Sequence, residues 1–112
     1  MKQPLIYIAS PYAGDIEKNT AFAISCCQYA IRQGCTPIAP HLLYPQILND
    51  TDPSERACGL AMGRQLLTVC SEVWVCGGQI SAGMKGEIEY ALEQGVPIRH
   101  ISAEVILKEA QP

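Results

Sequence analysis

The chain is 112 residues long, 48% hydrophobic and 17% charged, proportions that fit one compact globular unit and exclude a disordered chain, collagen and coiled coil. One core fits that length and two do not, and burial of roughly two-thirds of the unfolded chain's surface lets such a core stand without disulfides. Eight Lys and Arg stand against eleven Asp and Glu, a formal net charge of −3 with no basic run, which argues against duplex nucleic acid or a membrane surface as partner and leaves small ligands.

Leu5-Ile6-Tyr7-Ile8-Ala9 is a nearly continuous apolar run rich in β-formers, the pattern of a strand buried on both faces of a parallel sheet. Ser10-Pro11-Tyr12-Ala13-Gly14 breaks it, and Asp15 opens a helical segment that runs to a stop at Gly34. Thr36-Pro37-Ile38-Ala39-Pro40 predicts a short second strand, placed at an edge by its prolines. From His41 to Pro53 follows a loop without regular structure, long for so small a domain and therefore a candidate wall of a site.

Ser54 or Asp52 caps a second helix ending near Cys70, with Leu60, Gly63, Leu66, Leu67 and Cys70 as its packing stripe. Val73-Trp74-Val75-Cys76 is a third strand, closed by Gly77-Gly78, and Gly83 to Gln94 form a third helix terminated by Gly95. Val96 to Ile101 make a fourth strand and Ala103 to Glu109 a final helix. With no linker or repeat, residues 1–112 form one domain.

Alternating strands and helices with right-handed crossovers imply an α/β doubly wound three-layer sandwich, a flavodoxin-like parallel sheet of about four strands in the order 2-1-3-4. Ligands of such sheets lie beyond the carboxyl ends of the strands where the order reverses, here between the first and third. Ser10, His41, Gly77 and the start of the third helix are expected to converge there. The apolar runs are far too short to span a membrane, and Met1-Lys2-Gln3-Pro4 leads directly into a strand, so a cytoplasmic location is expected. The six cysteines form no C-x-x-C pair and no zinc spacing with His41 or His100, which predicts no metal site and small buried hydrophobes.

The crevice so defined collects Tyr7, Ser10, Tyr12, His41, Tyr44, Ser81, Lys85 and Glu87. Glu87, expected in the first turn of the third helix, has two readings: a carboxylate aimed into the crevice, or an acid that merely complements the helix dipole. The turn Gly77-Gly78 with Gly83 and Gly86 matches neither the dinucleotide fingerprint nor the phosphate-binding P-loop. Ser81 and Gly83, at the head of that helix, suit an anion, while Ser81 equally suits a plain N-cap.

The stretch from Ser81 through Gly83, Glu87, Tyr90-Ala91 and Gly95 to Pro97 resembles the nucleoside 2-deoxyribosyltransferase-like superfamily, as do Ile6 to Tyr12 and the segment from Ser54 to Val75. The likeness spans residues 4 to 101. Within it, Pro40-His41-Leu42, Arg56 to Gly63 and Ile80 to Met84 are similar to a small, often phage-associated branch related to 2'-deoxynucleoside 5'-phosphate N-hydrolases. The resemblance implies that Glu87 is a carboxylate nucleophile in cleavage or transfer at an N-glycosidic bond, oriented by Tyr7. It implies no cofactor, a nucleotide or nucleoside as small-molecule partner, and a homodimer or higher homo-oligomer. Ser81, where transferases carry an Asp and nucleotide hydrolases a Ser, points to a 5'-phosphate; Ser10, Tyr12, His41, Gly83 and Lys85 complete the expected binding set.

One position departs from the superfamily. Eight residues before Glu72, where relatives carry an Asp that assists the base and its proton, stands Arg64, a permanent cation that cannot serve as an acid. Arg64 could hold phosphate or pair with Glu87, and protonation of the leaving base would fall to His41 or water. Two alternatives follow: a binding protein that holds a nucleotide or nucleotide-derived signal without cleaving it, and a glycohydrolase acting on a nicotinamide dinucleotide or ADP-ribose.

Overall fold

Where helices cover both faces of a parallel sheet, its central strands are not free to alternate polar and apolar residues. Leu5–Ala9 (β1) and Glu72–Cys76 (β3) accordingly carry the same burial pattern, one half-buried residue followed by four buried ones, and lie at the centre of the sheet. The computed structural model describes residues 3–110. Around the two central strands it orders α1 (Ile16–Arg32), β2 (Thr36–Ile38), α2 (Pro53–Thr68), α3 (Ala82–Gln94), β4 (Ile98–Ile101) and α4 (Ala103–Ala110).

The sheet is parallel throughout, in the order β2-β1-β3-β4, and forms the expected doubly wound sandwich. β2, with Pro37 opposite Ile6, is an edge strand, where a missing N–H costs no ladder bond. Strand periodicity divides the core into two. Ile6 and Ile8 pack with Cys26 and Ala30 of α1 and Ile106 of α4 on one face, and Tyr7 and Ala9 pack with Leu67 of α2 and Met84 and Ala91 of α3 on the other. Tyr7 therefore points between α2 and α3 because it is the odd residue of β1.

Caps set the helix boundaries. Asp15 accepts from Lys18 N at the head of α1, and Asp52, the cap in place of Ser54, accepts from Ser54 N and Glu55 N at the head of α2. Gly95 ends α3 at φ 71°, a left-handed conformation that glycine adopts without the Cβ penalty. No helix among the described residues is long and apolar enough to cross a membrane.

Four expectations are corrected. The segment after β2 is not structureless: single 3-10 turns occupy Pro40–Leu42 and Tyr44–Gln46, with Pro40 first in one and Pro45 second in the other to preset the backbone angle. Leu60 leaves the packing stripe of α2 and is 57% exposed. Gly77 turns toward the α1 face, where a Cβ would stand 3.3 Å from Phe22, away from the ligand side. Among the cysteines, all free, Cys26, Cys35, Cys70 and Cys76 are buried, but Cys27 is half-buried and Cys58 exposed.

Candidate active site

β1 delivers Tyr7 into the groove between α2 and α3, and α3 delivers Glu87 from the opposite wall. Because α3 starts at Ala82 with Ser81 as cap, Glu87 is its sixth residue, in the second turn and not the first. The helix dipole fades over that distance. Tyr7 Oη donates to Glu87 Oε2 at 2.5 Å.

Burial governs the titration of this pair. It pushes the Glu87 carboxyl up to about 7, against the opposing effect of the Tyr7 hydrogen bond, which favours the carboxylate. Burial first, and the nearby Glu87 second, hold the Tyr7 phenol far above its usual range. Tyr7 is therefore a permanent donor at neutral pH, and Glu87 is divided between acid and carboxylate. A carboxylate held by a donor that never ionises is aimed without being neutralised.

The pair belongs to the wall of a cavity of about 580 Å³, whose lining also includes Ser10, Tyr12, His41, Arg64, Ser81 and Gly83. Ser10, buried just beyond β1, shares a 2.8 Å hydrogen bond between its Oγ and Nε2 of His41, which sits in the 3-10 turn after β2. Burial lowers His41 to about 4, so the imidazole is neutral at pH 7. Tyr12 approaches from the loop before α1, which Asn19 braces by donating from Nδ2 to the carbonyls of Tyr12 and Ala13. Ser81 is engaged as the cap of α3, its Oγ accepting from Met84 N at 3.2 Å, and its own hydroxyl hydrogen is left to donate.

Arg64 pairs with no carboxylate: among the described residues the ion pair is Arg99 with Glu72 at 3.4 Å. Its guanidinium carbon lies 5.2 Å from the centroid of the Tyr90 ring, one helical turn beyond Glu87 on α3. Lys85 is the expected site residue that does not converge. It is exposed and absent from the cavity wall, because the helical rotation that turns Met84 and Glu87 inward carries the residue after Met84 outward.

Gly63 of α2 lies against the pair, and a Cβ there would stand 3.5 Å from Tyr7 Oη. The signal in the sequence was a glycine inside a helix, which costs about 1 kcal/mol relative to alanine; a Cβ at 3.5 Å would make an ordinary contact with the phenol. Arg56, eight positions before Arg64 on α2, also lines the cavity; nothing in its local sequence distinguishes it from a solvated arginine.

The fold is similar to that of a 2-deoxyribosyltransferase from the psychrotolerant bacterium Bacillus psychrosaccharolyticus, with a TM-score of 0.69 and 18% sequence identity over 88% of this chain and 72% of that one. The fold is thus deoxyribosyltransferase-like. No curated protein matches the sequence. Residues 4–101 match the model of the family described as Domain of unknown function (DUF7768), and the chain belongs to that family.

Proposed function

We propose that the protein cleaves or transfers at the N-glycosidic bond of a nucleotide, with Glu87 as nucleophile and Tyr7 as the residue that positions it. The observation that carries this reading is the 2.5 Å bond from Tyr7 to Glu87 on the wall of a 580 Å³ cavity. A fold shared with a deoxyribosyltransferase supports it. Glu87 attacks C1' as the base departs, through an oxocarbenium-like transition state, and water or a second base resolves the glycosyl ester. With the carboxyl at about 7, a substantial fraction is ionised and nucleophilic at neutral pH.

Ser81 and Gly83, at the amino end of α3, supply hydroxyl and backbone donors for a 5'-phosphate. Ser10 and neutral His41 add hydrogen bonds without charge. A homodimer or larger assembly belongs to the same reading, supported by the exposed apolar side chains of Leu43, Ile47 and Leu60, of which Leu60 lines the cavity, and light scattering tests it. Incubation with a panel of nucleoside 5'-monophosphates and chromatography of the released base tests the activity, with Glu87→Gln as control. Base release by the native protein alone is the expected result; nucleotide binding with no release would replace the reading with that of a non-catalytic nucleotide-binding protein.

A further inference from the structure

We infer that Arg64 forms a base subsite selecting 6-oxopurines over 6-aminopurines, and that the purine departs as an anion held by its guanidinium. The subsite rests on the proposed placement of C1' at Glu87, and the anionic departure on Glu87 being the nucleophile. Along α3 the order is Ser81, Glu87, Tyr90, and a rise of about 1.5 Å per residue places Ser81 roughly 9 Å to one side of Glu87 and Tyr90 roughly 4.5 Å to the other. A nucleotide has its phosphate and its base on opposite sides of C1'. With the phosphate at the head of α3 and C1' at Glu87, the base extends toward Tyr90 and the Arg64 guanidinium that faces its ring.

At that end the cavity presents a cation with no carboxylate within 4 Å among the described residues. The Arg64 guanidinium carbon lies 5.2 Å from the centroid of the Tyr90 ring, a cation–π contact that restrains the side chain. Arginine carries five donors and no acceptor. It matches the adjacent O6 and N7 acceptors of hypoxanthine or guanine with two parallel bonds, and it opposes the N6 amino group of adenine with a second donor. The same donors stabilise negative charge, a task no neutral side chain performs as well.

The electron count then closes without an acid on α2. The C1'–N9 bond breaks with its electron pair on N9, the charge spreads to N7 and O6 against Arg64, and C1' bonds to a Glu87 oxygen. Water cleaves that ester at C1', regenerating the carboxylate, and the proton it releases is taken up by the departed purine anion.

The minimal pair is 2'-deoxyinosine and 2'-deoxyadenosine 5'-monophosphate, compared by rate of base release in the native protein and in Arg64→Gln. Glutamine pairs with the adenine edge, and Arg64 is exposed, so the variant folds. The expected result is a preference of about tenfold or more for the inosine nucleotide, lost or inverted in Arg64→Gln. Equal rates in the native protein, or a ratio unmoved by the substitution, overturn the inference while leaving Glu87 as nucleophile. If neither nucleotide is cleaved, calorimetric binding of free hypoxanthine and adenine decides: tighter hypoxanthine binding that Arg64→Gln abolishes sustains the subsite though the cleavage reading falls, and indifference to the base overturns it.

Discussion

Tyr7 and Glu87 stand eighty positions apart in the chain and meet in a hydrogen bond of 2.5 Å, the phenol from the central strand and the carboxylate from a helix packed on that strand's α2/α3 face. The bond has a consequence for pH dependence. Tyr7 favours the ionised form of Glu87, and burial, the larger effect, leaves the carboxyl raised to about 7 with that bond in place. On the proposed reading, base release should therefore rise with pH through about 7, and Tyr7→Phe should move the midpoint upward by removing the one contact that favours the carboxylate. A pH profile of kcat/KM checks this, and a midpoint that stays put in Tyr7→Phe contradicts it.

Glu87→Gln keeps the shape of the side chain and its ability to accept from Tyr7, but it is no nucleophile. Base release should drop by about a thousandfold or more, with the far-ultraviolet circular dichroism spectrum unchanged. Retention of more than a tenth of the native rate would assign the chemistry to another residue.

Stability should respond to pH through two groups that oppose each other. Glu87 titrates at about 7 in the folded chain against 4.5 as the reference value, so across that interval the folded state holds a proton the unfolded state has lost, and stability falls as pH rises. His41 titrates at about 4 in the folded chain against 6.5. Across that interval the unfolded state holds the extra proton, and stability rises with pH. Each effect is on the order of 3 kcal/mol, and in the native protein they cancel between pH 4.5 and 6.5. Urea titrations should show His41→Gln losing stability toward neutral pH and Glu87→Gln gaining it; parallel pH curves for the two variants would contradict the assignment.

At the ends of α3 the expected effects are local. Ser81→Ala removes the hydroxyl that accepts from Met84 N and should cost about 1 kcal/mol. Gly95→Ala forces a Cβ into a backbone held at φ 71°, for about 1 to 2 kcal/mol. Chemical denaturation midpoints check both, with losses below 0.3 kcal/mol as the contrary outcome for either.

The strands and most helix limits were readable along the chain because they are written in short-range periods, the apolar runs at Leu5 and Val73, the prolines around β2, and the stops at Gly34 and Gly95; the strand order followed from their alternation and the handedness of the crossovers. Glu87 and Tyr7 stood out through a family resemblance, since spacing alone could not separate a nucleophile from an acid balancing a helix dipole. Once α3 is seen to start at Ala82, the dipole explanation loses its footing.

Other features needed the packed molecule. The bond between Ser10 and His41, the guanidinium of Arg64 over Tyr90, the outward turn of Lys85 and the placement of Gly77 against Phe22 all depend on how far each helix is rotated on the sheet. Backbone preference acts over a few residues and specifies which elements form. Rotation and register are set by the joint packing of side chains far apart in the chain, so a neighbour across the sheet leaves no mark on the local pattern.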